Sequence, residues 1–134
     1  DSREKGRTAA RQQAWRTLYN AMTLCQFQNP GVPLIVDAMR TITGWPMDAK
    51  GLLAAGMRIL TLKRLINLRR GLSRADEKLP SLLMKALNGP TEGHVPDLES
   101  LIAGAYEELG WNLDTAAPRP ETLEALGLEG DTAV

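Results

Sequence analysis

The chain has 134 residues but only one cysteine and one histidine, six aromatic side chains (three Trp, two Tyr, one Phe) and no formal net charge. Each shortage removes a class of protein. A single cysteine excludes an internal disulfide framework and fits a reducing compartment. One cysteine and one histidine cannot supply the four ligands that a zinc or iron–sulfur site needs, so no such site is complete within the chain. With 16 basic against 16 acidic residues there is no global charge to draw nucleic acid or a membrane surface. The aromatic residues do not interleave with the basic ones, as binding to single-stranded nucleic acid demands. No apolar run approaches the roughly 18 residues of a membrane span, and a cytoplasmic location is expected. The opening stretch DSREKGRTAARQQ has neither an initiator Met nor an apolar signal segment, as expected of a fragment or processed piece of something larger.

What remains is ordinary globular material: 43% hydrophobic and 24% charged residues, with a length that suits one domain. Its core must be built mostly from Leu, Ile, Met and Ala, which favours packed helices over a β-sandwich. The expected fold is all-α, an irregular multi-helix domain of about five helices with a long central one.

Apolar residues recur at Ala14, Leu18, Ala21, Met22 and Cys25, which predicts a first helix from about Ser2–Thr8 to Cys25 with Cys25 on the core side. Asn29-Pro30-Gly31 breaks it. Pro33 opens a short, half-buried helix striped by Ile35, Met39 and Ile42 that stops at Gly44. Asp48 is an N-cap for the long helix, with Leu52, Ala55, Ile59, Leu62 and Ile66 on one face before Gly71. Gly51 and Gly56 each cost about 1 kcal/mol against Ala inside a helix, which argues for close approach of another backbone. The stretch from Ser73 to Pro96 weakens into loops, with a helical turn or two around Ser81–Leu87. Asp97 caps a helix carrying Leu98, Leu101, Ile102, Ala105 and Leu109, and Pro120 opens a last one that ends at Gly127. Neither an internal repeat nor a convincing strand is visible.

Cys25 is chemically an inert buried thiol, a nucleophile or a metal ligand. Nucleophilic catalysis is disfavoured, because the C-terminal end of a helix opposes thiolate formation and the one histidine, His94, is far away in sequence. If Cys25 is a ligand, its partners lie elsewhere. Arg58, Lys63, Arg64, Arg69, Arg70 and Arg74 precede the next acid, Asp76, and could cradle a phosphate or an acidic partner. Helical spacing spreads them around the axis, so a solvated or interdomain face is the plainer reading. His94 lies in a Gly- and Pro-rich loop without a carboxylate at ligand spacing and takes no role. Asp76 and Glu77 are read as capping or solvated acids. No catalytic residue is assigned.

Five elements in order then carry a resemblance: Gly56, Arg58 and Ile59; Arg64, Leu65, Asn67 and Arg69; Asp76, Leu79 and Pro80; Tyr106, Gly110 and Trp111; and Pro118, Leu123, Leu126, Gly127 and Leu128. Order and spacing resemble the C-terminal region of tungsten-containing aldehyde ferredoxin oxidoreductases over nearly the whole chain. Leu24, Cys25 and Phe27 match an Asp-x-x-Gly-Leu-Cys-x-Phe-like element in that family. The resemblance implies that Cys25 is the fourth ligand of a 4Fe-4S cluster, whose other three cysteines lie upstream. It implies further that Asn20, Thr23 and Leu24 border a tungsten or molybdenum bis-pterin. Asn20 stands where the family usually has Asp, Thr23 where it has Gly, and Met57 where it has Glu.

The implied parent oxidises an aldehyde or a related substrate and passes electrons to ferredoxin or a similar acceptor. This chain, residues 1–134, is then a C-terminal helical domain that packs on the missing N-terminal domains and binds no cofactor alone. It is catalytically silent by itself and open to self-association as a homo-oligomer, with no nucleic-acid or membrane partner. The competing reading is a helical structural or interaction module, with Cys25 merely buried and the basic helix meeting an acidic partner.

Overall fold

The computed structural model describes residues 2–89 and 92–131. Five α-helices follow one another: α1 (Ser2–Ala21), α2 (Val32–Thr43), α3 (Ala49–Arg69), α4 (Leu98–Leu109) and α5 (Pro120–Ala125). Single 3₁₀ turns lie at Arg74–Asp76 and Glu129–Asp131. Among the described residues there is no strand, only an isolated antiparallel bridge between Trp111 and Pro118. The all-α expectation holds, with α3 as the long helix.

Short polar side chains and glycine set the helix ends. The Asp48 carboxylate accepts from the Gly51 amide at 2.7 Å, and Asp97 accepts from the Ser100 amide at 3.1 Å, each satisfying a first-turn donor that the helix leaves open. Gly44 and Gly110 close α2 and α4 in the left-handed conformation. Pro33 lies in the first turn of α2 and Pro120 opens α5, where a missing N–H costs nothing.

α1 packs against both α3 and α4, and at these crossings glycine takes the place of a side chain. A Cβ on Gly104 of α4 would overlap the Arg3 carbonyl of α1, one on Gly6 of α1 would overlap the Leu101 carbonyl of α4, and one on Gly56 of α3 would overlap the Ala14 carbonyl. Gly56 therefore meets another backbone, as expected. Gly51 does not: its neighbours are the local side chains Met47 and Asp48.

Three apolar clusters fill the gaps between helices. Ala10, Ile102, Tyr106, Leu109, Trp111 and Ala116 pack between α1, α4 and the loop after α4. Leu18, Tyr19, Ile35, Val36 and Leu52 join α1, α2 and α3. Leu65, Leu123 and Leu128 hold the C-terminal segment on α3. Around the rim of the α1–α4 contact, Arg3 and Arg7 donate to Glu107, and Arg11 donates to Glu108 at 2.8 Å. The Arg3 hydrogen bond foremost pulls the Glu107 carboxyl down to about 2.

Several expectations need correction. Helix α1 ends at Ala21, short of Cys25. Ile42, expected on the apolar stripe of α2, is exposed, because α2 turns Ile35 and Val36 inward and no described residue covers the far end of its stripe. Leu62 and Ile66 are over one-third exposed while Thr61, Arg64 and Leu65 are buried. A strict seven-residue repeat drifts by about 20° per heptad around a straight helix, and the second half of α3 meets the C-terminal segment on an adjacent face. The stretch around Ser81–Leu87 forms turns without a helix, leaving Leu82, Leu83, Met84 and Leu87 exposed. Part of the weak Ser73–Pro96 pattern, positions 90 and 91, lies outside the described residues.

Candidate functional site

The candidate residues lie where α1 stops. The Leu24 amide donates to the Tyr19 carbonyl at 2.8 Å and the Thr23 amide to the Asn20 carbonyl at 3.3 Å. This crossed pair is a Schellman closure, with Thr23 as the left-handed residue at φ 55°. Leu24, the next residue, packs into the cluster holding Tyr19, the apolar contact that accompanies this closure. The Tyr19 ring is buried, and its hydroxyl donates to the Pro30 carbonyl at 3.0 Å. That bond ties the far end of the loop back to α1.

The closure redirects the chain, so Cys25 is exposed instead of facing the core. A continuing helix would have buried it; one left-handed residue two positions earlier turns it outward. Asn20 and Thr23 are exposed too, while Leu24 is half-buried. The Asn20 side-chain oxygen accepts from Gln26 at 3.1 Å, and the Thr23 hydroxyl donates to the Met22 carbonyl at 2.7 Å. Cys25 lines an open recess with Arg16, Gln26 and Phe27. Among the described residues no group of three or more His, Cys, Asp or Glu converges to hold a metal. His94 is exposed.

A β-branched residue in the left-handed region is strained, by on the order of 1 kcal/mol, whereas glycine is not. Thr23→Gly should therefore stabilise the chain by about 0.5–1 kcal/mol, offset in part by the entropy glycine adds to the unfolded state. Chemical denaturation measures this directly, and a destabilised variant would show that Thr23 makes a contact worth more than its strain.

The basic cluster does not form a cradle. Arg58 donates to the Leu126 and Gly127 carbonyls, and Arg74 pairs with Glu99 at 2.6 Å. Arg64 is buried: its guanidinium donates to the Ala116 carbonyl at 2.9 Å, to Glu77 at 2.7 Å and to the Tyr106 hydroxyl at 3.0 Å. It also lies 5.2 Å from the Trp111 ring centre. Tyr106 in turn donates to Glu77 at 2.8 Å. Glu77, read as a solvated acid, is instead the carboxylate of this network. Asp76 does cap: it accepts from the Ser73 amide at 2.7 Å and the Ser73 hydroxyl at 2.9 Å.

Comparison with known proteins decides the family. The family described as aldehyde ferredoxin oxidoreductase, domains 2 & 3, matches residues 1–128. The chain belongs to the aldehyde ferredoxin oxidoreductase family. It is 34% identical over 116 residues to the tungsten-containing aldehyde ferredoxin oxidoreductase of Thermococcus kodakarensis, covering 83% of this chain and 19% of that protein. The protein of the same name from Pyrococcus abyssi is 34% identical over 117 residues, covering 84% of this chain and 19% of that protein. The chain thus spans about a fifth of the length of these relatives. No solved structure matches it.

The elements by which the chain resembles this aldehyde ferredoxin oxidoreductase family meet in space as folding devices. Arg58 of the first joins Leu126 and Gly127 of the last. Arg64 of the second reaches Glu77, beside Asp76 of the third, and Tyr106 and Trp111 of the fourth. Sequence reading missed this convergence because an arginine in a basic run looks like a solvated residue. The available signal was the pairing of that arginine with two aromatics and an acid, all in a chain poor in aromatics.

Proposed function

We propose that this chain is the C-terminal helical part of a longer aldehyde ferredoxin oxidoreductase-like polypeptide and supplies Cys25 as one ligand of a 4Fe-4S cluster. The observation that carries the reading is the exposed thiol at the end of α1, in a chain of this family whose described residues gather no other ligands around it. The donor set fits the group: a soft thiolate donor suits iron, and an exposed loop position can be reached by cysteines on another segment. A thiol on the core face, as the sequence alone suggested, could not be.

The cluster, when bound, relays electrons, and a tungsten or molybdenum bis-pterin supplies the oxidation of an aldehyde or related substrate ahead of a ferredoxin-like acceptor. The chain's own residues position and shield. The Schellman closure and the Tyr19–Pro30 bond hold the Cys25 loop at both ends. Asn20, in the last turn of α1, and Thr23, in the loop, would border the pterin with exposed polar side chains, and Leu24 anchors the loop in the core. Phe27, fully exposed in this chain, would be available to shield the cluster from water.

Alkylation tests the reading. Cys25 in the isolated chain should react with iodoacetamide nearly as fast as a short cysteine peptide. Within the iron-loaded full-length polypeptide it should be protected, and removal of iron by a chelator should restore its reactivity. Equal reactivity with and without iron would contradict the assignment.

A further inference from the structure

The recess that holds Cys25 also holds a fixed positive charge. Arg16 of α1 lines it together with Cys25, Gln26 and Phe27, none of them acidic. The guanidinium lies over the Tyr19 ring at 5.2 Å, and its Nη1 is buried without a hydrogen-bond partner among the described residues. A ring face attracts a cation but removes none of its charge. No ion pair among the described residues includes Arg16. A guanidinium does not lose its proton in a protein, so this charge is permanent, and no described carboxylate compensates it.

Tyr19 fixes the charge relative to the thiol. Its buried ring meets Trp15 edge-on at 5.8 Å and carries the guanidinium. Its backbone carbonyl accepts from the amide of Leu24, the residue before Cys25, and its hydroxyl donates to the Pro30 carbonyl. One residue thus holds both the cation and the two ends of the Cys25 loop. Enclosing a guanidinium nitrogen without an acceptor is costly, and an unsatisfied group of this kind calls for a reason, a redox role among them. Arg11, on the same helix, shows the ordinary alternative: both of its donating nitrogens meet Glu108 at 2.8 Å.

We infer that Arg16 poises the cluster bound by Cys25, raising its reduction potential so that it accepts an electron more readily. The inference rests on the reading above that Cys25 is a cluster ligand. A cluster held by thiolates is anionic, and taking up one electron from the substrate side adds a further negative charge. A fixed cation beside it therefore stabilises the reduced form more than the oxidised one, and net charge near a cluster is one of the levers that set its potential. Arg16 needs no bond to the cluster for this. Its role is to keep an uncompensated charge at a constant place beside the Cys25 sulfur.

A reductive titration of the iron-loaded full-length polypeptide, followed by the paramagnetic resonance signal of the reduced cluster, tests the inference. Arg16→Gln should load iron fully yet lower the reduced-to-oxidised ratio at a given potential about tenfold, a fall of about 59 mV for one electron. Arg16→Lys keeps the charge and should recover most of that shift. Arg11→Gln removes a charge from the same helix, but one already paired with Glu108, and should leave the potential unchanged. Full iron with an unchanged potential in Arg16→Gln would overturn the inference, while Cys25 would remain a ligand. Equal falls in Arg16→Gln and Arg16→Lys would assign the effect to shape, and equal falls in Arg16→Gln and Arg11→Gln to net charge; either result overturns it. So does an Arg16→Gln protein that cannot load iron, because the arginine would then serve assembly and not the potential. A cluster whose iron content and signal are untouched by Cys25→Ser would instead sink the reading under Proposed function.

Discussion

Gly104→Ala should cost this chain about 3 kcal/mol of unfolding free energy, at the upper end of what overpacking one methyl group does. Gly104→Val should leave it unfolded at room temperature. The reason is steric and specific. A Cβ at position 104 overlaps the carbonyl of Arg3 in α1, and a backbone atom, unlike the tip of a side chain, cannot swing aside. The helices must move apart, and doing so also strains the reciprocal contact of Gly6 with Leu101 and loosens the cluster of Ala10, Ile102 and Tyr106. Against a total stability of about 5–15 kcal/mol such a loss is large. Urea unfolding should show the midpoint falling without a change in slope. Gly130→Ala is the matched control, since an added Cβ there meets nothing within 4 Å. A Gly104→Ala variant within about 0.5 kcal/mol of wild type, the ordinary range for surface changes, would show that α1 and α4 are not in backbone contact.

The second large effect belongs to Arg64. Arg64→Ala should cost about 3–5 kcal/mol, as breaking a buried charged network does. It leaves Glu77 without its cation and strips the Tyr106 hydroxyl and the Ala116 carbonyl of a donor. Arg64→Lys should recover little, because an ammonium cannot reach three acceptors in a plane or stack on Trp111. The same network predicts a response to alkali. Burial, with the hydrogen bond to Glu77 next, pushes the Tyr106 phenol up to about 12 from its ordinary 10. The folded state therefore holds this proton more tightly than the unfolded state. Its contribution is fully present below pH 10 and is lost as pH rises from 10 through 12. Tyr106→Phe should flatten that limb of the stability curve while lowering stability at neutral pH. An unchanged alkaline limb in Tyr106→Phe would mean that another group controls it.

Much of the fold was legible in the sequence because its punctuation is local. Asp48, Asp97, Pro33, Pro120, Gly44 and Gly127 act within a few residues of where they stand, and each marks a helix boundary close to the one observed. The end of α1 was not legible for a matching reason. Its left-handed residue is Thr23, a residue type that does not advertise that conformation, so the apolar spacing carried the helix on to Cys25 and put the thiol inside. The burial of Arg64 depends on Tyr106, 42 residues away, and on Ala116, 52 residues away. No window of helical periodicity contains them. The contacts of the basic run were out of reach for the same reason: Arg58, Arg64 and Arg74 each have a partner distant in sequence, although Arg58, Lys63, Arg69 and Arg70 are exposed as a solvated face requires. Those partners also bear on the competing module reading, in which a basic helix awaits an acidic protein: Arg58, Arg64 and Arg74 are already engaged within the chain.

The resemblance supplied what periodicity could not, a reason for a lone cysteine to matter. The structure adds a second reason of its own, since the loop exposes a thiol that a merely structural cysteine would bury. Cys25→Ser in the full-length polypeptide is the most direct test of this account, read by iron content and by the electron paramagnetic resonance signal of the reduced cluster. Serine offers a harder and poorer ligand to iron. The account predicts that the 4Fe-4S signal is lost or converted and iron content falls, while tungsten or molybdenum is retained in part. Full iron with an unchanged signal would contradict it.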